Sequence, residues 1–339
     1  MFTRKTTMGE VMAYPTLKTL TKFILPQPPE GADAGDDGQQ AQGPDPAQMM
    51  AVSFEQLCGA VSPAWNPDSM AEGFNAIVGH INNGVPMVQD IYTPAEIAAD
   101  ATKARTGLLW FPAKKRGPFA LVCAGGAYMS VASIVEAFPV AKRLNELGIT
   151  AFVLQYRAGV RGAAPKSGED IRRAITYIIE NHDKFNVDET YAAFGFSAGG
   201  HLVSELGTVN QGYKAYGFPK PQMLGLCYPL VAFAQTSDDQ MRQAVAMMFE
   251  GEVTDAVLDE FTPIQHLDED YPKTFIWQTK ADEQVPYEAN ALEIYHRLQA
   301  LGVPCRLKAV EHGLHGLGLG EGSEAQGWLD EAVAYWMEK

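Results

Sequence analysis

The sequence predicts an α/β fold in which a mostly parallel, eight-stranded sheet carries helices on both faces. From residue 85 onward, short apolar runs alternate with amphipathic helical patterns, and this alternation is typical of strands joined by crossover helices. The run Phe119–Cys123 is apolar at every position, as expected of a strand that is covered on both sides. Ligands of such sheets bind beyond the carboxyl ends of the strands.

Each element follows from its own local pattern. Strands are predicted over 85–92, 107–111, 119–123, 150–156, 191–194, 223–228, 273–279 and 305–310. Helices are predicted over 53–83, 134–147, 169–182, 288–301 and 328–337. Gly148 and Gly302 follow two of these helices at the position where glycine commonly ends a helix.

Residues 1–48 are predicted to form an N-terminal arm and flexible linker, ahead of one α/β domain over 49–339. The apolar spacing near the start favours a short amphipathic helix, whereas 26–48 is rich in Pro, Gly, Gln and Asp and cannot bury a core. The arm could dock a partner, act as a lid or exchange between subunits, although a disordered tail is the commoner case. An insertion is expected at about 231–270, with a helix over 239–249.

Composition excludes several classes of function. The 339 residues carry a formal net charge of -15, which argues against nucleic acid, because its binding requires a basic face. No stretch suits a membrane span or a signal peptide. The four cysteines lack metal-ligand spacing, so free thiols, no metal site and a reducing cytoplasm are expected.

The segment Gly195-Phe-Ser-Ala-Gly199 follows an apolar strand and precedes a helix-compatible run. A serine in this strand–turn–helix setting is a candidate nucleophile, because the tight turn exposes its hydroxyl at the sheet edge. If the motif is considered alone, the alternative is a glycine-rich turn before a helix that has no catalytic role.

A serine nucleophile requires a base and an orienting acid. Asp282 follows the strand 273–279, and the histidines His312 and His315 follow the strand 305–310. The order Ser197, Asp282, His315 places each candidate after a strand end. His315 is preferred to His312 because Gly316 and Gly318 let its loop curl back toward Ser197.

The segment Ala124-Gly-Gly-Ala-Tyr128 follows another strand and is built of small residues. Backbone N–H groups of Gly126, Ala127 and Ala198 are therefore predicted to form an oxyanion hole. Tyr128 is predicted to line the substrate pocket, although packing is the commoner role for such a tyrosine.

In combination, these motifs and the segment Leu154-Gln-Tyr-Arg157 resemble the α/β-hydrolase esterases near the acetylxylan-esterase and hormone-sensitive-lipase-like groups, over roughly residues 85–339. Those families usually have Pro-Gly-Gly-Gly-Tyr where this chain has Ala124 and Ala127. The extra methyl of Ala127 is expected to narrow the acyl pocket.

The resemblance implies a serine carboxylester hydrolase that needs no cofactor. The expected substrates are short-chain acyl esters, with acetylated oligosaccharides as the natural class. A prolyl-oligopeptidase-type peptidase and a catalytically silent binding protein are the alternatives. Assembly as a homo-oligomer is left open.

Overall fold

The computed structural model describes residues 1–25, 50–233, 248–249 and 253–338, and the strands in these ranges form one eight-stranded sheet. They are β1 (Val88–Gln89), β2 (Gly107–Phe111), β3 (Phe119–Cys123), β4 (Thr150–Gln155), β5 (Tyr191–Phe196), β6 (Met223–Cys227), β7 (Thr274–Thr279) and β8 (Cys305–Val310). Their spatial order is β1-β2-β4-β3-β5-β6-β7-β8. The pairs β1–β2 and β2–β4 are antiparallel and the others are parallel, which confirms the predicted, mostly parallel sheet.

The α-helices of the described ranges are α1 (Met8–Ala13), α2 (Thr21–Ile24), α3 (Phe54–Val61), α4 (Pro67–Asn82), α5 (Pro94–Ala99), α6 (Phe138–Glu146), α7 (Ala163–Glu180), α8 (His182–Phe185), α9 (Ala198–Ser204), α10 (Tyr213–Tyr216), α11 (Asp255–Glu260), α12 (Glu293–Ala300) and α13 (Trp328–Met337). The 3₁₀ turns are Pro15–Leu20, Ala101–Arg105, Glu205–Gly207 and Pro263–Gln265. Two π-helical turns, Ser133–Ala137 and Glu288–Leu292, lead directly into α6 and α12.

Alternate side chains of β3 enter two separate hydrophobic clusters, one on each face of the sheet. Phe119 and Leu121 belong to the cluster that α7 and α12 cover. Ala120 and Val122 belong to the cluster that α4, α6 and α13 cover. Side chains of a strand alternate between its faces, so this division confirms the predicted helices on both faces of the sheet.

The first 25 residues correct the prediction of a loosely attached arm. Leu17, Leu20 and Phe23 are buried in the same cluster as α4 and α6, and the Arg4 guanidinium pairs with Asp68 at the start of α4. The apolar spacing thus marks a packed face rather than a free amphipathic helix, because these side chains gain stability when they are removed from water. The predicted linker over 26–48 and most of the helix predicted over 239–249 lie outside the described residues.

The connection between β1 and β2 also differs from the prediction. The strand expected over 85–92 is reduced to two residues, and α5 lies between it and β2, where no helix is predicted from the sequence. Thr93 and Glu96 form a capping box at the start of α5, a signal present in the sequence. The four cysteines are free thiols, as predicted, and no helix within the described ranges has both the length and the apolar character needed to cross a membrane.

Candidate active site

Ser197 occupies the sharp turn between β5 and α9. Its backbone has φ 53° and ψ -117°. This conformation is unfavourable for any residue that carries a side chain. The Ser197 N–H donates to the Cys227 carbonyl at 3.0 Å, and the Ser197 carbonyl accepts from the His201 N–H at 3.0 Å. These bonds hold the strained turn and place the serine at the carboxyl edge of the sheet.

The turn leaves no room for a side chain two positions before or two positions after the serine. A Cβ atom at Gly195 would lie 2.1 Å from the carbonyl oxygen of Gly199, and one at Gly199 would lie 2.3 Å from the carbonyl oxygen of Cys123. Both distances are far below van der Waals contact. Steric crowding therefore requires glycine at both positions, as the motif suggests.

The side chains of Ser197, His315 and Asp282 form a continuous hydrogen-bonded row. The Nε2 atom of His315 lies 2.8 Å from the Ser197 Oγ atom, and its Nδ1 atom lies 2.7 Å from Asp282 Oδ2. An ionised carboxylate can only accept hydrogen bonds, so with Asp282 as the acceptor Nδ1 carries the proton and Nε2 can accept the serine proton. A base and an orienting acid placed in this way can activate a hydroxyl.

Asp282 is buried, and donors surround its carboxylate. Its Oδ1 atom accepts the backbone N–H groups of Gln284 and Val285 at 3.0 and 2.9 Å. Its Oδ2 atom also accepts the Gln278 amide at 3.1 Å. These bonds compensate the loss of water around the charge and fix the carboxylate orientation toward His315.

His312 lies at the surface. Its side chain is 85% exposed, and its Nδ1 atom is 3.3 Å from a carboxylate oxygen of Glu324. The structure thus places His315 beside Ser197 and His312 in solvent, the arrangement that the glycine pattern of the loop favoured.

The predicted oxyanion loop has an unusual backbone. Gly126, Ala127 and Tyr128 have successive positive φ angles of 125°, 52° and 56°, and successive N–H groups in such turns can converge on an anion. Within the described ranges, the N–H groups of Gly126, Ala127 and Ala198 donate to no protein acceptor. A Cβ atom at the neighbouring Gly125 would lie 2.8 Å from the Ser197 Cβ, so this loop adjoins the elbow.

The position of Tyr128 corrects the expectation that its side chain lines the pocket. The side chain is 1% exposed, and its hydroxyl group lies 2.6 Å from His201 Nδ1. The positive φ angle of Tyr128 accompanies a side chain that enters the core beneath the loop. The tyrosine therefore contributes to the site through its backbone and its packing.

Three residues near the site were not selected from the sequence. Glu136 and Tyr228 form a buried hydrogen bond of 2.8 Å, and the Tyr228 ring packs against the His315 ring. Trp65 borders the histidine loop, because a Cβ atom at Gly316 would lie 3.4 Å from its Nε1 atom. A carboxylate within the apolar run Val135–Phe138 was the available signal for Glu136.

The sheet order, the elbow at Ser197 and the row of three side chains define an α/β-hydrolase. The chain belongs to the BD-FAE family, whose model matches residues 109–298. Ser197 and Asp282 lie within this range, whereas His315 and the N-terminal 108 residues lie outside it.

Named relatives were found by sequence and by structure. The acetyl ester-xyloside bifunctional hydrolase of Caldicellulosiruptor lactoaceticus is 27% identical, with a TM-score of 0.62 over 73% of this chain and 96% of that chain. Endo-1,4-beta-xylanase B of Butyrivibrio fibrisolvens is 29% identical over 61% of this chain and 34% of its own length. The acetylxylan esterase of Xylanibacter ruminicola is 23% identical over 63% of this chain. The match covers 44% of that esterase, so this chain spans well under two thirds of both curated relatives.

Proposed function

We propose that this protein is a serine carboxylester hydrolase that acts on short-chain acyl esters, with acetylated carbohydrates as its natural substrates. The observation that carries the proposal is the row of two hydrogen bonds, 2.8 Å from His315 to Ser197 and 2.7 Å from His315 to Asp282. Backbone N–H groups near the serine that have no acceptor among the described residues support it, as does the similarity to named esterases.

In the proposed reaction, the Ser197 Oγ atom attacks the ester carbonyl while His315 Nε2 accepts its proton. The N–H groups of Gly126, Ala127 and Ala198 stabilise the oxyanion. The ester C–O bond then breaks, and His315 returns the proton to the departing alcohol. Water, deprotonated by His315, then attacks the acyl-enzyme, and His315 returns this proton to the Ser197 Oγ atom as the carboxylic acid leaves.

Two features bear on substrate choice. The methyl group of Ala127 lies on the proposed oxyanion loop, where it favours a small acyl group. Met129 and Leu314 are exposed apolar side chains next to this loop and next to His315, and they provide contact surface for the rest of an ester. The named relatives include an acetylxylan esterase, so an acetylated carbohydrate is the proposed class of substrate. Free cysteines suit a reducing cytoplasm, where imported oligosaccharides rather than a polymer would be the substrates.

The proposal is tested with the purified chain and 4-nitrophenyl acetate, butyrate and octanoate, together with acetylated xylo-oligosaccharides. We expect kcat/KM to fall from acetyl to octanoyl, and acetate to be released from the oligosaccharides. Ser197→Ala should reduce activity on the order of 10⁴-fold, whereas Ser204→Ala, at the end of the helix that follows Ser197, should retain most of it.

Other results would favour the alternatives. Cleavage of prolyl amides in place of esters would indicate a peptidase of the prolyl-oligopeptidase type. Absence of turnover with every substrate, and of covalent labelling of Ser197 by a fluorophosphonate, would indicate a silent binding protein. A preference for octanoyl esters would exclude the small acyl pocket, and failure to release acetate from sugars would remove the carbohydrate assignment.

A further inference from the structure

Glu136 is a buried acid that the proposed reaction does not use. It lies in the π-helical turn Ser133–Ala137, just after the oxyanion loop, and only 4% of the residue is exposed. No lysine or arginine within the described ranges forms an ion pair with it. Burying a carboxylate without a cationic partner costs free energy unless hydrogen bonds compensate it. The hydrogen bonds of Glu136 therefore account for its position.

The two carboxylate oxygens of Glu136 connect two different loops. The Gly125 N–H in the oxyanion loop donates to Oε2 at 2.6 Å. The Tyr228 hydroxyl donates to Oε1 at 2.8 Å, and the same hydroxyl accepts the Gly318 N–H at 3.1 Å. Since Gly318 follows His315 by three residues, this chain of bonds joins the oxyanion loop to the histidine loop.

Tyr228 also contacts His315 directly. Their ring centroids lie 4.9 Å apart at an interplanar angle of 67°. The phenol ring therefore limits the orientations of the imidazole, while its hydroxyl fixes the loop that carries it. The position of the hydroxyl depends on Glu136, which is the acceptor for the Tyr228 proton.

The charges around Glu136 are few. Burial raises the pKa of the Glu136 carboxyl, while the bonds from Gly125 and Tyr228 and the charge of His315 oppose this rise. Among the described residues, the other ionisable groups that interact with it are Cys227, Tyr156 and Tyr228, and burial raises the pKa of each well above its ordinary value. These three groups stay neutral near pH 7 and place no charge near Glu136, so the ionised form of Glu136, like that of Asp282, can stabilise a protonated His315.

We propose that Glu136 is a positioning residue that joins the oxyanion loop to the histidine loop through Tyr228 and sets a second negative charge behind His315. The proposal rests on the hydrolase function proposed above for the Ser197 site. A negative charge favours the imidazolium that forms when His315 accepts the serine proton, and fixed loops lower the cost of reaching the transition state.

The test is the pH profile of Glu136→Gln with 4-nitrophenyl acetate. Gln keeps the size of the side chain and an acceptor for Gly125 but removes the charge, so His315 should lose its proton at lower pH. We expect the acid limb of kcat/KM to move down by about half a pH unit or more, and kcat to fall about tenfold with little change in KM. An acid limb at the wild-type position would overturn the assigned charge.

Tyr228→Phe tests the hydrogen-bonded connection between the two loops separately from the charge of Glu136. It removes both hydroxyl bonds while the ring and the Glu136–Gly125 bond remain, so kcat should fall with KM nearly unchanged. An unchanged kcat in Tyr228→Phe would overturn the proposed connection. This result is decisive even if Glu136→Gln does not fold. Glu205→Gln is the matched control, because Glu205 is also buried and burial raises its pKa to about 8, so it is uncharged over the acid limb and its replacement should leave the limb in place.

NMR titration of the His315 imidazole, assigned by the signal lost in His315→Gln, measures the same effect without turnover. The midpoint should be lower in Glu136→Gln than in the wild type. If the wild type hydrolyses no ester, the proposed function fails while this titration still decides the role of Glu136. An active wild type with equal midpoints would sink the Glu136 proposal alone.

Discussion

The hydroxyl group of Tyr128 and the Nδ1 atom of His201 meet in a buried hydrogen bond of 2.6 Å. Tyr128 ends the proposed oxyanion loop, and His201 lies one turn along the helix that starts after Ser197. The His201 Nε2–H donates to the Phe261 carbonyl at 2.7 Å, so Nδ1 accepts the Tyr128 proton. Burial lowers the pKa of His201 to about 4, which keeps the imidazole neutral in this role.

Tyr128→Phe should therefore weaken the loop without removing its packing. The ring remains in the core, but the backbone with positive φ at Ala127 and Tyr128 loses a restraint. We expect kcat for 4-nitrophenyl acetate to fall about tenfold, while the protein keeps its fold by circular dichroism. Tyr216→Phe, at an exposed tyrosine, is the control, and equal activity of the two variants would contradict the prediction.

The two histidines after β8 should differ sharply in their effect on activity. His315→Ala removes the group beside Ser197 and should reduce kcat/KM on the order of 10⁴-fold. His312→Ala changes only an exposed side chain and should retain most of the activity. Steady-state assays of both variants with an aryl acetate decide this, and loss of activity in His312→Ala alone would show that the base is assigned wrongly.

The N-terminal segment should be required for stability. Leu20 is fully buried, so Leu20→Ala should lower the free energy of unfolding by about 2–5 kcal/mol. Lys18→Ala, at an exposed position of the same segment, should have an effect of less than about 1 kcal/mol. Denaturant titration measures both values, and equal stability of the two variants would indicate that residues 1–25 do not support the core.

Removing one partner of a buried ion pair should cost far more stability than removing one partner of an exposed pair. Asp170 accepts the Arg157 Nε–H at 3.0 Å and the Tyr92 hydroxyl at 2.7 Å, and the Arg157 and Asp170 side chains are almost completely buried. Asp170→Asn leaves the guanidinium short of a partner and should cost about 3–5 kcal/mol. Asp183→Asn breaks an exposed pair with Arg116 and should cost at most about 1 kcal/mol; denaturant titration of both variants is the measurement.

Glu205 should make stability fall as the pH rises. Burial raises its pKa from 4.5 to about 8, so the folded protein keeps a proton that the unfolded chain releases within this window. The contribution is complete below the unfolded pKa and is lost as the pH passes the folded pKa. Glu205→Gln stays neutral, so its Tm relative to the wild type should rise on the order of 5 °C between about pH 5 and pH 9.

Scanning calorimetry across this range measures the Glu205 effect. Glu189→Gln, at an exposed position, serves as the control and should show no such trend. A pH-independent difference between Glu205→Gln and the wild type would mean that Glu205 is ionised in the folded protein.

Local pattern was sufficient for much of the fold and for the choice of candidate residues. The order of strands and helices follows from the alternation of apolar runs, and the glycines at 195 and 199 mark the elbow because no other side chain fits there. The positions of Asp282 and His315 after strand ends could be predicted, since parallel strands bring their carboxyl ends to one edge of the sheet. These properties depend on a few neighbouring residues, which the sequence by itself determines.

Only the tertiary structure decided which side chains meet across the fold. Residues 1–25 resembled a loose arm because their apolar face gains stability only against α4 and α6, which are distant in sequence. The burial of Tyr128 and the connection from Gly125 through Glu136 and Tyr228 to Gly318 likewise have no local signature. Such contacts arise from close packing of distant elements, where the stability of each polar group depends on partners that the other elements supply.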